Sequence, residues 1–422
     1  MSKIAADLLV LGAKELVTPL GTKPIGGEAL ARPLIVEDAG VACAAGKIVA
    51  VGTSDDLRTR YSAAKIVDAR GGVIVPGFVD AHTHPVFMGT REAEFEQRAA
   101  GATYLEIAQA GGGILSTVRG VREASEESLE AALMLRLDRF LAMGTTTIEA
   151  KSGYGLTVED ELKSLRVIAK AASRHAVDLV PTFLGAHSYP PEAAHDKASY
   201  VDLIIDEMLP RVVEQKLAVF CDIFTEAHVF DVPTSRRILT RARDLGLGLR
   251  LHVDQLTSLG GAELAAELGA QSADHLEHIS EAGIAALGEA GVVPVLCPVV
   301  PLFLREGDHE APARRMLDRG LTPALSTDFN PGSCFMQSMP EVLSWAALRY
   351  GMSAAETLGA ATLNAACSLG LGAEVGSLEV GKRADLLVLD VPNYRHLTYE
   401  LGRNPVGAVV KAGRLVHEVA RA

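Results

Sequence analysis

The sequence predicts an α/β protein: a (β/α)8 TIM-like barrel with a small β-sandwich domain formed from both chain termini. The first observation is a run of eight apolar, β-rich segments ending near His84, Lys151, His187, Glu226, Asp254, His275, Pro298 and Asp328. They alternate with helical patterns, the sequence form of repeated βα units around a parallel sheet, and eight of them point to closure. The second is the amino end, where Asp7-Leu-Leu-Val-Leu and Lys47-Ile-Val-Ala-Val-Gly are short strand-like runs with no long helical pattern between them. The third is the carboxyl end, where Ala384-Asp-Leu-Leu-Val-Leu-Asp and Val406-Gly-Ala-Val-Val-Lys-Ala-Gly-Arg-Leu-Val repeat that texture, so both ends can pair in one sheet. The boundaries expected are 1–70 and 369–422 for the two parts of the β domain and 71–368 for the barrel.

Size and composition agree with this organisation. A chain of 422 residues, 48% of them hydrophobic, exceeds what one small core needs and suits a large α/β domain with an accessory domain. Two intervening helices can be read by spacing. Leu129, Leu133, Leu137 and Leu141 recur every four residues, joined by Ala132 and Phe140, and Gly144 stops the run. A second helix starts at Thr157, with Asp160 three residues on, and carries Leu162, Leu165 and Ile168 on one face. Both stripes are core packing.

Charge and cysteine usage narrow the function classes. A formal net charge of −13 repels nucleic acid and anionic membrane surfaces, so a small anionic substrate must be captured by locally placed Arg or Lys. Five scattered cysteines (Cys43, Cys221, Cys297, Cys334, Cys367) without CxxC spacing fit reduced thiols in the cytosol. The first residues lack the basic region and long apolar core of a signal peptide, which reads as a cytoplasmic protein. The strongest apolar stretch, Val292 to Leu304, is interrupted by Pro294, Pro298 and Pro301 and is too short to cross a bilayer; it reads as a buried strand leading into a loop.

The chemistry is written at the ends of the strands. Six of the eight apolar runs finish with His, Asp or Glu, and barrel enzymes assemble their sites from the carboxyl ends of their strands. A single buried histidine there is more often a hydrogen-bonded core residue than a ligand, but a ring of polar termini is hard to assign to packing. In Gly77-Phe-Val-Asp-Ala-His-Thr-His-Pro, His82 and His84 are two apart on a strand, so both side chains share one face and can share one metal. His252 in Leu249-Arg-Leu-His-Val-Asp-Gln and Asp328 in Ala324-Leu-Ser-Thr-Asp-Phe-Asn-Pro-Gly-Ser end two further runs. Three imidazoles and a carboxylate suit Zn²⁺ or iron and leave a position for water, with Asp328 able to take its proton.

Taken together, the chain resembles the amidohydrolase superfamily and, within it, the imidazolonepropionase family, over nearly its whole length. The specific likeness rests on Gly89-Thr-Arg-Glu-Ala-Glu-Phe, Gly111-Gly-Gly-Ile-Leu-Ser-Thr-Val, Glu149-Ala-Lys-Ser-Gly-Tyr-Gly-Leu, Thr182-Phe-Leu-Gly-Ala-His and Thr327-Asp-Phe-Asn-Pro-Gly-Ser, beside the general Pro76-Gly-Phe-Val-Asp-Ala-His-Thr-His. The resemblance implies hydrolysis of the cyclic C–N bond of 4-imidazolone-5-propanoate to N-formimidoyl-L-glutamate, with one Zn²⁺ or Fe ion per subunit held by His82, His84, His252 and Asp328. It implies Asp328 as base with His275 and His187 offering hydrogen bonds, and a homodimer without nucleic-acid or membrane partners.

The substrate's propanoate requires a cation, and Arg91 matches the family's carboxylate-binding arginine, able to clamp both oxygens; without that motif it would read as a surface Arg paired with Glu92 or Glu94. Tyr104 and Tyr154 match substrate contacts, with Tyr154 in a Gly-bounded loop. His187 and Gln255 are expected near the substrate, and Asn330, Gly332 and Ser333 offer amide, backbone N–H and hydroxyl groups in a Pro-Gly turn that is otherwise plain turn chemistry. Gly111-Gly-Gly lacks the context of a phosphate loop and reads as an active-site loop.

At position 255, where some relatives place Glu, this chain carries Gln, which cannot titrate. Lys151 invites comparison with a carbamylated lysine bridging two metals; the one-metal resemblance makes it a supporting residue instead. Two alternatives stay open at this point: a related deaminase of a nitrogen heterocycle, which would use the same cage, and a non-catalytic barrel scaffold.

Overall fold

In the computed structural model, residues 3–102, 106, 112–305 and 309–419 are described. The amino-terminal strands are β1 (Ile4–Thr18), β2 (Leu34–Ala44), β3 (Lys47–Thr53), β4 (Tyr61–Asp68) and β5 (Val73–Pro76). Along β1 the residues alternate faces, so Leu8 and Val10 enter one core while Leu9 and Leu11 enter another on the opposite side. After the barrel come β14 (Leu386–Leu389), β15 (Val406–Lys411) and β16 (Arg414–Glu418), once β6 to β13 have been placed as below. β14 pairs antiparallel with β5, and β5 pairs parallel with β1, so both chain ends share one mixed sheet as the sequence predicts. The expected sandwich takes the form of one hydrogen-bonded sheet whose strands from both ends meet in a common core of Leu8, Val10, Val41, Ile74, Leu386, Val388 and Val410. Because β5 belongs to it, this sheet reaches to Pro76, beyond the boundary at residue 70 that composition suggests.

The barrel strands are β6 (Phe78–Asp80), β7 (Thr145–Lys151), β8 (Asp178–Ala186), β9 (Phe220–Thr225), β10 (Gly248–Val253), β11 (Ser272–His275), β12 (Val293–Leu296) and β13 (Ala324–Leu325). They follow one another in spatial order, each pair parallel, and correspond one for one with the eight apolar runs. β13 has two residues, and the ring closes largely through side chains and an isolated bridge. The buried Asp80 carboxylate accepts from the Ser326 hydroxyl, from the Thr327 N–H at 3.1 Å and from the Thr327 hydroxyl at 2.5 Å. Beyond it, Thr83 bridges Phe329, and the His84 N–H donates to the Phe329 carbonyl at 2.9 Å.

The two helices read by spacing form as expected. Glu126–Ala142 is capped by the Ser125 hydroxyl, which accepts from the Ser128 N–H, and buries Leu129, Leu133, Leu137, Phe140 and Leu141. Val158–Ala172 is capped by the Thr157 hydroxyl, which accepts from the Asp160 N–H, and buries Leu162, Leu165 and Ile168. Two local expectations change. β6 stops at Asp80, so His82 and His84 lie just beyond the strand; the chain stays extended there because Thr83 bonds to β7 on one side and bridges Phe329 on the other, which preserves the alternation. The stretch after β12 turns into the short helix Val300–Leu304 rather than a loop, with Pro301 in its first turn, where a missing N–H costs nothing.

Candidate active site

The carboxyl ends of the barrel strands bring His82, His84, His252, His275 and Asp328 together. His84 Nε2 lies 3.4 Å from His82 Nε2 and 3.3 Å from His252 Nε2. Asp328 Oδ1 lies 3.5 Å from the Nε2 of both His82 and His84, and His275 belongs to the same cluster through His82 and Asp328. Burial holds the His82 and His84 rings well below the ordinary imidazole value, with the Lys151 charge adding to the effect on His82 and the His252 and Lys151 charges to that on His84. Burial also lowers His275, to about 3, against the opposing pull of Asp328, so these rings are neutral.

The nitrogens facing away from the cluster explain its chemistry. His82 Nδ1 is 2.6 Å from Asp274 Oδ2, and His252 Nδ1 is 3.0 Å from Asp222 Oδ1. A carboxylate only accepts, so each Nδ1 carries the proton and each Nε2 is a bare lone pair. Two such lone pairs and a carboxylate oxygen converge on His84 Nε2, an arrangement satisfied by a cation standing among them or by a proton on His84 Nε2. Neutral imidazoles with one carboxylate are the donor set of a zinc- or iron-type ion, and the site fits a metal ion on that ground.

Beneath the histidines lies a layer of wholly buried charge: Glu149, Lys151, Asp222, Arg250 and Asp274. Lys151 Nζ donates to Glu149 Oε1 at 2.7 Å and to Asp222 Oδ2 at 2.6 Å. Arg250 Nη2 donates to Asp274 Oδ2 at 3.2 Å and to the Ala81 carbonyl at 2.7 Å. Each carboxylate that orients a histidine is thus held by a cation. Burial alone would strip Lys151 of its proton, but Asp222 and Glu149 outweigh it and raise its pKa, so Nζ is an ammonium. Its two bonds tie Lys151 to Glu149 and to the carboxylate that orients His252, the position of a supporting residue. Asp222, which burial pushes upward, is carried well below its ordinary value by His252 and Lys151.

Sequence reasoning missed Asp222, Asp274 and Arg250, of which Arg250 alone carried a local signal. Glu149 and Lys151, Arg250 and His252, and Asp80 and His82 are all spaced by two, and in a barrel such residues point to the interior together.

Asp328, three residues beyond β13, has φ of 48°, His275 ends β11 with φ of 80°, and Asp254 follows β10 with φ of 50°. Left-handed backbone at non-glycine residues is costly and concentrates at functional sites. Burial raises the Asp328 carboxyl above the usual carboxylate value, against the pull of His275 and His252. The turn after it is organised by Asn330. Its Oδ1 accepts from the N–H groups of Gly332 and Ser333 at 2.8 and 2.7 Å, and its Nδ2 donates to the Asp328 carbonyl and to Ser333 Oγ at 2.8 and 2.7 Å. With both lone pairs and both N–H bonds engaged, Asn330 organises the turn that carries Asp328 and Ser333. Ser333 Oγ in turn donates to Asp328 Oδ2 at 3.3 Å.

Around the histidines, His187 stacks on His84 with ring centroids 5.1 Å apart and its Nδ1 3.0 Å from the Gly153 carbonyl oxygen. Tyr154 is buried, with its ring centre 6.0 Å from His84 and 5.2 Å from His187, and burial raises its hydroxyl pKa. Gln255 is buried in a loop pinned on both sides. The Glu226 carboxylate accepts from the N–H groups of Leu256 and Thr257 at 3.3 and 3.0 Å, and Asp254 accepts from those of Leu259, Gly261 and Ala262.

Arg91 presents one edge to Glu94: Nε and Nη2 donate to Glu94 Oε2 at 2.9 and 2.7 Å. The other edge lies against Gly332, where a Cβ would stand 2.1 Å from Nη1. Gly332→Ala is therefore expected to displace the guanidinium; if Arg91 binds the substrate, KM rises by about tenfold, or ~1.4 kcal/mol, with kcat nearly unchanged. Steady-state kinetics checks this, and an unchanged KM contradicts it. Tyr104 and Gly111 lie outside the described residues; Gly113 caps the helix Ile114–Glu123 and donates its N–H to Glu94 Oε1 at 3.1 Å.

The fold and the metal-type cage define a class. Residues 73–416 match the model of the amidohydrolase family. Among curated relatives, the imidazolonepropionase of Symbiobacterium thermophilum is 50% identical over 97% of this chain and 97% of its own length, and that of Solibacter usitatus is 49% identical over 98% and 99%. The chain belongs to the imidazolonepropionase family. Of solved structures, a zinc-bound adenosine deaminase from Xanthomonas campestris superposes with a TM-score of 0.74 at 24% identity, covering 98% of this chain and 93% of that one. A triazine hydrolase variant gives 0.77 at 20% identity, covering 97% and 94%. At those identities they establish the shared fold.

Proposed function

We propose that the protein hydrolyses the ring C–N bond of 4-imidazolone-5-propanoate, adding one water to give N-formimidoyl-L-glutamate in histidine degradation. The observation that carries this is the convergence of three imidazole nitrogens and the Asp328 carboxylate, in a chain half identical to imidazolonepropionases. His82, His84, His252 and Asp328 would hold the ion, one Zn²⁺ or Fe per subunit. When bound, that ion supplies Lewis acidity, polarising a carbonyl oxygen and making water acidic enough to act near neutral pH.

The chain's own groups supply the rest. Asp328, oriented by Ser333, accepts the proton of the attacking water and carries it toward the leaving ring nitrogen. His275, held neutral, donates a hydrogen bond to oxygen as negative charge gathers there. His187 keeps its proton on the Nδ1 bound to Gly153 and offers Nε2 as an acceptor for a ring N–H. Tyr154 lines the ring, Arg91 takes the propanoate on the edge that Glu94 leaves open, and Gln255, Asn330, Gly332 and Ser333 complete the proposed wall. Gln255 hydrogen-bonds without titrating, which leaves proton transfer to Asp328.

We also place the enzyme in the cytoplasm as a homodimer acting on a small anionic substrate without nucleic acid or membrane. The charge of −13 supports the absence of nucleic-acid and anionic-membrane partners, the five unpaired cysteines support the cytoplasm, and the homodimer rests on the family resemblance; among the described residues no helix is long and apolar enough to span a bilayer. Domain limits of 1–70, 71–368 and 369–422 remain our working division, with the strand at Val73–Pro76 shared by the terminal sheet.

Arg91→Ala tests the substrate reading. Loss of a charge-assisted pair to the propanoate is expected to raise KM by about 10–100-fold with a much smaller change in kcat. Equal KM values for variant and parent, or release of ammonia from a purine, pyrimidine or guanidine with imidazolonepropanoate untouched, would assign the site to another reaction.

A further inference from the structure

The loop 152–156 between β7 and the helix Val158–Ala172 carries Tyr154 and supports His187, and it is organised by a residue outside the pocket. Glu161 lies on that helix and is wholly buried. Its Oε2 accepts from the Gly153 N–H at 3.0 Å, and its Oε1 accepts from the N–H groups of Gly155 and Leu156, both at 2.8 Å. The Ser152 hydroxyl hydrogen-bonds to the same carboxylate. One buried carboxylate thus gathers four donors from five consecutive residues, and no Lys or Arg pairs with it among the described residues. From the other side, Arg122 Nε donates to the Gly155 carbonyl at 2.8 Å.

The consequence reaches the histidine. With its N–H fixed on Glu161, Gly153 (φ 107°) turns its carbonyl toward His187 Nδ1 at 3.0 Å. A Cβ at 153 would stand 2.9 Å from the Leu184 carbonyl oxygen and 3.1 Å from His187 Nδ1, so this approach is open to glycine alone. A carbonyl only accepts, so the contact puts the His187 proton on Nδ1 and leaves Nε2 bare on the ring that stacks against His84.

We propose that Glu161 is a positioning residue for the reaction, setting the tautomer of His187 and the pose of Tyr154 through the backbone of residues 153–156. Its bearing on catalysis rests on the reading of those two side chains as substrate contacts. In Glu161→Gln the amide nitrogen cannot accept, so one end of the carboxamide faces the loop N–H groups donor to donor and the Gly153 carbonyl is released.

The test uses the metal-loaded full-length enzyme labelled with ¹⁵N-histidine, the His187 signal being identified by its loss in His187→Asn. The expected result is a neutral His187 protonated on Nδ1 in the parent, and in Glu161→Gln a loss of that single tautomer with kcat/KM lowered by about 10–100-fold. Metal content is expected to stay at the parent value. A parent His187 protonated on Nε2 overturns the proposal without any variant, and so does Glu161→Gln with the parent tautomer and kinetics. Should Glu161→Gln not accumulate as folded protein, Glu161→Asp, which keeps the charge but withdraws the carboxylate by one methylene, is held to the same two readouts. Parent-like kinetics in His187→Asn would instead remove the substrate reading, while the tautomer still decides whether Glu161 sets the ring.

Discussion

Asp328→Asn is expected to lower kcat by about 10³-fold, within the range a positioned general base contributes, while KM changes by no more than a few-fold. The amide has nearly the same shape, so the turn built by Asn330 and the contact from Ser333 can persist. What it loses is the ability to take a proton and the negative charge beside His82 and His84, 3.5 Å away. Metal content measured on the same sample separates the two losses: retained metal with lost turnover assigns the defect to proton transfer, and lost metal assigns it to ligation. A variant with parent kcat would remove Asp328 from both roles.

Lys151→Met has the largest expected effect on stability, about 3–5 kcal/mol, because it leaves Glu149 and Asp222 facing each other in the barrel interior without their shared ammonium. The methionine fills the space of the aliphatic stem, so the loss is electrostatic rather than a cavity. Glu149, already raised by burial, is then expected to become protonated, and Asp222 to lose part of its hold on His252 Nδ1. A steep fall in thermal midpoint and soluble yield would show this. An unchanged midpoint would mean that the buried layer is not sustained by Lys151.

The sequence made the barrel legible because all but one of the strands are apolar runs ended by a polar residue, a pattern that depends only on the local sequence. It made the cage legible for the same reason: His82 and His84 are two apart, and His252 and Asp328 sit at strand ends. What it withheld were the pairings across strands. Asp274 meets His82 across 192 positions and Asp222 meets His252 across 30, and nothing local says which carboxylate meets which ring. Arg91 shows the converse case. Its pairing with Glu94 is the local reading, its closeness to Gly332 is not, and the structure contains both. The four hydrogen bonds by which Asn330 builds the turn were not legible either, because they depend on the backbone path after β13. Glu161 carried no sequence signal beyond being an acidic residue in a helix's first turn, because its partners are backbone N–H groups.

X-ray absorption at the metal edge of the purified, metal-loaded protein is the most direct measurement of the shared site. The expected spectrum shows three imidazole nitrogens at about 2.0–2.1 Å together with carboxylate or water oxygen at about 2.0–2.2 Å, and loses one imidazole contribution in His252→Ala. A protein that binds no stoichiometric metal, or a spectrum with sulfur ligands or fewer than three imidazoles, would contradict a centre built from His82, His84, His252 and Asp328.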